Sequence, residues 1–307
     1  MVAVVMNGQH VIGVDVGGTK ILAGVIAENG RVIRRYEIAS PNDSQEDLLA
    51  ALDEAVEALL DDGIAALGFG IPSTIDQRSG MVLGTVNLPL AGLSFRKRMH
   101  ERFALPVRID NDANAAAIGE WKAGAGRGVN DLVMLTLGTG IGGGLILGGK
   151  PYRGSVGGGG ELGHIVILHD GPPCYGNCSG RGHLEALCSG HAASLLAREV
   201  FGPDADSRTL VELAREGEER ALEILQTIGE RLGSAIGSIV NTFNPELVVI
   251  GGGFSAAGEL ILGPARDRMR REALPGLPDL TKVVLAELGS DAGLIGAGFV
   301  GFEALES

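Results

Sequence analysis

The sequence predicts an α/β protein built on a duplicated plan. Strand and helix patterns alternate through most of its 307 residues, which is how α/β domains read. A strand, a glycine turn and a second strand occur in "VIGVDVGGTKILAGVI" and again, about 120 residues on, in "LVMLTLGTGIGGGLIL". In both, the apolar, β-branched pattern resumes after the turn, so both read as hairpins, one per domain. A third cluster, "ELVVIGGGFS", runs a strand into Gly251, Gly252 and Gly253.

Composition narrows the function. A chain of this length exceeds one small core, and two domains are expected. Apolar residues at 45% and charged residues at 21% describe a folded soluble protein. The net charge of -13 argues against nucleic acid as a partner, because phosphate neutralisation needs clustered Lys and Arg. Three cysteines do not make a disulfide scaffold, and the N-terminus does not resemble a signal peptide. The uncharged run 132–149 holds seven glycines among its 18 residues, and each costs a helix about 1 kcal/mol, so no membrane span is expected. A cytoplasmic protein follows.

The glycine turns imitate nucleotide motifs and depart from them. Gly138, Gly140 and Gly143 satisfy G-x-G-x-x-G, but a dinucleotide site needs a helix next, and "GGLILGG" is strand-like. "GVDVGGTK" transposes the Lys and Thr of a P-loop and again lacks the helix. What survives is physical: glycine turns expose N–H groups that converge on phosphate oxygens, and Thr19 and Thr139 add hydroxyls. One such turn alone reads as a tight hairpin; three, together with Asp15, favour phosphate.

Helices are legible between the hairpins. "SQEDLLAALDEAVEALLDD" opens with Ser44 and Asp47 at capping-box spacing and presents Leu48, Leu52, Ala55 and Leu59 on one face. The region 209–243 predicts two helices broken near Gly217 and ending before Pro245. "HLEALCSGHAASLLAREV" reads as one helix, with Cys188 as a small buried apolar group. "VRIDNDANAAAIGEW" is a strand, then Asp110, Asn111 and Asp112, then an Ala-rich helix. Asn111 and Asp112 suit helix capping, yet a carboxylate at a strand's carboxyl end is also where α/β proteins put catalysis. These residues alone leave both open.

Together "DVGGTK", "NDANAAAIGE", "LGTGIGGG", "GELGHIV", the cysteine loop and "VVIGGG" resemble, in order and spacing over essentially the whole chain, the ROK family of bacterial sugar kinases and repressors. The resemblance implies an actin-like, ribonuclease-H-like pair of α/β domains with an interdomain cleft. The smaller would be 1–117 plus 289–307, the last helix returning to it, and the larger 118–288. It implies that Asp15, Gly17, Gly18, Thr19 and Lys20 line the phosphates of ATP and Mg²⁺, that Thr139 and Gly140 face them, and that Gly251, Gly252 and Gly253 approach the adenosine. Asp112 would be the general base. Asn87, Asn111, Glu161, His164 and Glu185 would join it in holding sugar hydroxyls, which need paired donors and acceptors in fixed geometry.

The family's zinc is held by one His and three Cys. Here the matching positions are His164, Cys174, Cys178 and His183, so two extra residues separate the cysteines and a histidine replaces the last thiolate. His₂Cys₂ remains a standard four-coordinate structural set, so a structural Zn²⁺ is still expected; His169 is a competing ligand. The activity implied is that of an ATP-dependent hexose kinase, with glucose the first acceptor and N-acetylmannosamine or another hexose the alternative. A polyphosphate donor is disfavoured by the length of the chain and the zinc loop. A sugar-sensing repressor is disfavoured because nine residues precede "HVIGVDVGG", too few for a helix-turn-helix domain, and Asp112 is retained. Sugar and ATP would be the partners of a homodimer or homotetramer.

Overall fold

A computed structural model of the chain describes residues 9–85, 88–176 and 178–306. It divides into two compact units. The first comprises residues 1–127, 153–159 and 290–307, and the second 128–152 and 160–289. The sequence-based boundary at 117 falls within a helix, and residues 153–159, flanked by second-unit residues in the chain, belong to the first.

In the first unit the strands are β1 (His10–Val16), β2 (Lys20–Ala27), β3 (Val32–Ala39), β4 (Ile64–Ile71), β5 (Ser73–Asp76), β6 (Met81–Thr85) and β7 (Val107–Asn111). Its helices are α1 (Gln45–Glu57), α2 (Phe95–Phe103), α3 (Asp112–Ala123) and the chain's last, α9 (Ala292–Glu303). The main sheet has the order β3-β2-β1-β4-β7, antiparallel on the hairpin side and parallel across β1, β4 and β7; β5 and β6 pair separately. Period-2 alternation splits β1 between two faces. Ile12, Val14 and Val16 pack with Leu48 and Leu52 of α1 and Phe95 and Met99 of α2. Val11 joins Leu294 of α9 on the opposite face. Burying each of these large side chains stabilises by about 1.5–3 kcal/mol. Ser44 caps α1 by accepting from the Asp47 N–H, as its spacing predicts.

The second unit repeats the plan with β8 (Leu132–Leu137), β9 (Ile141–Leu147), β10 (Lys150–Pro151), β11 (Leu247–Gly251) and β12 (Lys282–Leu285). Its sheet order, β10-β9-β8-β11-β12, has the same alternation of antiparallel and parallel pairs. The uncharged run 132–149 is thus the hairpin β8–β9, and among the described residues no helix is long and apolar enough to cross a membrane. The helices are α4 (Leu184–Cys188), α5 (Gly190–Phe201), α6 (Ser207–Arg215), α7 (Glu219–Phe243) and α8 (Glu259–Glu272). The break near Gly217 separates α6 from α7 as expected. The single helix expected around Cys188 is two instead. Ser189 takes extended dihedrals and caps α5 by accepting from the Ala192 N–H, which ends α4 one residue earlier. Cys188 is fully buried and its thiol donates to the Ile228 carbonyl.

Candidate functional site

Parallel pairing places two acidic positions in register across a glycine. Asp15 on β1 lies opposite Gly70 on β4, and Gly70 lies opposite Asp110 on β7, all at the carboxyl ends of their strands. Open α/β sheets present chemistry at that edge. Asn111 resolves the ambiguity left by the local sequence. Its side-chain oxygen accepts from the N–H of Ala113 at 2.9 Å and of Asn114 at 3.2 Å, so Asn111 is the cap of α3. Its amide also lies 3.4 Å from the Ser73 carbonyl, to which it donates. Asp112 is then the first residue of α3, half-buried, where the helix dipole favours its ionised form.

Asp15 sits on the face of the sheet covered by α9. A Cβ built on Gly293, in the first turn of that helix, would stand 2.5 Å from the Asp15 carboxylate, so only glycine allows the acid there. Burial first, and then the Asp112 charge, push Asp15 up to about 7, against a smaller opposing pull from Lys20. Asp15 and Asp112 therefore sense each other as like charges in one site. Beside them the β1–β2 turn closes with the Gly17 N–H donating to the Lys20 carbonyl at 2.9 Å. Among the described residues the N–H groups of Gly18 and Thr19 are given no partner, and both residues are exposed, as an anion-binding turn requires. The Lys20 ammonium, expected at phosphate, is paired with Glu37 at 3.0 Å.

Asp110 is the residue whose role the sequence did not disclose. It is fully buried, accepts from the Asn111 N–H and the Asn114 amide, and pairs with Arg153 at 2.6 Å. Arg153 also pairs with Glu303 of α9 at 2.8 Å. Nothing local links positions so far apart in the chain. Asn87 lies outside the described residues.

In the second unit the β8–β9 turn is held from several sides. The Gly138 carbonyl accepts from the Gly190 N–H at 2.8 Å and the Thr139 carbonyl from the His191 N–H at 3.4 Å. Glu185 of α4 accepts from the Ile141 N–H at 2.8 Å. A Cβ on Gly140 would stand 2.3 Å from that carboxylate, so the glycine is what lets Glu185 reach the turn. Gly252 takes φ +83° with its Cα against the end of β8, where a Cβ would lie 2.5 Å from the Leu137 carbonyl. Gly251 ends β11, and Gly253 borders a cavity of about 360 Å³ with Thr139, His191, Arg198, Arg208 and Phe254. The α5 and α6 residues of that cavity were not foreseen; the only trace was "SGH", where Ser189 breaks the helix.

The Cys/His loop closes on itself. The donor atoms of His164, Cys174, Cys178 and His183 all lie within 4.8 Å of one another. The two histidine Nδ1 atoms are 3.3 Å apart, and the Cys174 and Cys178 sulfurs lie 3.6 and 3.5 Å from the Nδ1 of His164 and His183. A tetrahedron with Zn–N of about 2.05 Å and Zn–S of about 2.3 Å has N–N edges near 3.3 Å and N–S edges near 3.6 Å. The donor set and its spacing therefore fit zinc. Burial, the neighbouring Cys178 and the Glu185 carboxylate push the Cys174 thiol up to about 12, so the cluster without a cation keeps that proton. The competitor His169 is instead exposed and faces Asp170 at 3.1 Å. Cys174 Sγ also lies 3.7 Å from Glu185 Oε1, which joins the cluster to the acid that holds the β8–β9 turn. Glu161 is exposed and precedes the short helical turn Leu162–His164 that carries His164.

A model of the ROK family matches residues 11–300. A glucokinase of Thermotoga maritima is 36% identical over 95% of this chain and 97% of its own length. The crystal structure of a ROK family glucokinase from Streptomyces griseus, in complex with glucose and AMPPNP, covers 96% of this chain and all of its own at 33% identity, with a TM-score of 0.83. A ROK hexokinase from Thermus thermophilus covers 97% and 99% at 34% identity and a TM-score of 0.84.

Proposed function

The chain belongs to the ROK family, and from that premise we propose that it is a glucokinase, phosphorylating the 6-hydroxyl of glucose with ATP. The observation that carries this is the placement of Asp112 at the end of β7, on the first turn of α3, with Asn111 taking the cap in its stead. A carboxylate on the first turn of a helix, where the dipole favours its ionised form, is what proton abstraction from an alcohol needs. Asp112 accepts the proton as the hydroxyl oxygen bonds to the γ-phosphorus; the bond to the β–γ bridging oxygen breaks and ADP leaves.

The remaining roles follow each group's position. Asp15 would hold Mg²⁺, which when bound offsets charge on the transferring phosphoryl group. The Gly17, Gly18 and Thr19 turn donates N–H and hydroxyl groups to phosphate oxygens; so do Thr139 and Gly140, and Lys20 adds charge. Gly251, Gly252 and Gly253 lie against the adenosine. Asn87, Glu161, His164 and Glu185 hold sugar hydroxyls, with the single Asn111 amide hydrogen not used on Ser73 joining them. A Zn²⁺ held by His164, Cys174, Cys178 and His183 would be structural, since protein fills all four positions. Ligation through Nδ1 would fix the His164 tautomer and leave its Nε2–H as a donor for a sugar hydroxyl.

The partners required are sugar and ATP. A cytoplasmic homodimer or homotetramer, expected from the resemblance, is checked by light scattering.

The test is ADP release from Mg·ATP with glucose, N-acetylmannosamine, fructose or no sugar. Turnover with glucose, lost in Asp112→Asn, supports the glucokinase and its base together. Turnover with another hexose alone retains the chemistry and replaces the acceptor; binding of sugar without turnover sinks the kinase.

A further inference from the structure

Helix α2 reads "FRKRMHERF", and its cations divide into two sets. Arg98 and Arg102 turn to α1, where Asp53 and Glu57 neutralise them. The others border a cavity of about 430 Å³ in the first unit, within the range of small-molecule sites. Arg96, Lys97 and His100 of α2, Arg108 of β7 and Ser79 line it, and no carboxylate does. That is an unusual concentration of positive charge in a chain of net charge -13.

Among the described residues Arg96 is held by backbone carbonyls rather than by a carboxylate. Arg96 donates to the backbone carbonyls of Gln77, at 3.3 Å, and Arg78, which orient the guanidinium without cancelling its charge. His100 Nδ1 is 2.7 Å from the Leu105 carbonyl, which leaves Nε2 as the other ring nitrogen for a ligand. Lys97 faces Glu101, 3.7 Å away on the exposed surface. Arg108 Nε is paired with Glu303 at 3.0 Å, and Glu303 also pairs with Arg153.

We propose that this cavity binds the phosphate group of a small molecule, at the opposite end of β7 from Asp112. The guanidinium groups of Arg96 and Arg108 and the Lys97 ammonium around one opening suit the oxygens of a phosphate monoester. The group could arrive as inorganic phosphate or on a hexose phosphate.

Calorimetric titration of the full chain with each of the two separates these sources. The cavity's share is isolated by comparing wild type with Arg96→Gln and with the exposed double variant Lys97→Gln/His100→Gln, after melting curves confirm that they fold. Any phosphate bound at the glycine turns is common to all three proteins and cancels. Removing a charge-assisted donor should weaken binding about tenfold or more. Weakening in a variant that melts like wild type supports the site; a hexose phosphate bound more tightly than inorganic phosphate names the sugar ester as the ligand. Equal binding by all folded variants, or no binding of either anion to wild type, overturns it.

Discussion

The hairpins β1–β2 and β8–β9 occupy the same place in sheets of the same order, and both turns close with a 2.9 Å backbone bond from their first glycine. Their surroundings differ. At the first, the acids come from the strand ends themselves: Asp15 lies at the end of β1, with Asp112 following β7. At the second, the acid is imported. Glu185 reaches in from α4, grips the Ile141 N–H and touches the Cys/His cluster with its other oxygen. A duplicated plan has thus been specialised by what packs on it: one copy carries two interacting carboxylates, the other is clamped by one.

The largest effect expected from breaking this comparison is at Asp112. Asp112→Asn should lower kcat by about a hundred- to ten-thousand-fold with little change in the KM for sugar, read by ADP release. Glu185→Gln keeps an acceptor for Ile141 and removes only the charge, so its loss should be smaller and fall on the sugar KM.

Next comes the zinc proposed for the clamped side. Stripping metal with a chelator should lower the melting temperature, by about 4 kcal/mol of stability if zinc stands a thousandfold above its Kd, and Cys178→Ala should be insensitive to the chelator. A wild-type melt indifferent to chelation rules out the zinc.

The two turns can then be compared directly by adding one methyl to each. A Cβ at Gly18 meets nothing within 4 Å, whereas one at Gly140 meets the Glu185 carboxylate at 2.3 Å. Gly18→Ala should melt within about 0.5 kcal/mol of wild type, and Gly140→Ala should lose about 1–3 kcal/mol with the Glu185 bond. Equal melting of the two would erase the distinction drawn between them.

The smallest effect, per step of pH, concerns Asp15. Its native pKa of about 7 lies above the unfolded value of 3.8, so between those values the native state binds more protons. Stability of the ligand-free protein should fall as pH rises through that window, by at most about 1.4 kcal/mol per unit, and level off above it. Asp15→Asn should flatten this slope in melting curves taken across pH 4 to 7.

Local patterns were legible where local forces decide. Glycine turns between β-branched runs predicted both hairpins, and Ser44 three residues before Asp47 predicted a cap. The α4–α5 break was missed because Ser189 can either continue a helix or cap one, and only the packed chain shows which. Asp110 looked equivalent to its neighbours because its partner, Arg153, is 43 residues away.

The sequence by itself determined both hairpins, their glycine turns, the Ser44 cap and the inventory of acids, thiols and imidazoles. These follow from period, propensity and the chemistry of single side chains. Tertiary structure alone decided that Asn111 caps α3, that Asp110 is buried against an arginine and that Asp112 opens the helix. It also decided that one glycine turn is open and the other is held by Glu185. A side chain's role depends on the groups brought within hydrogen-bonding distance, and those come from segments far apart in the chain.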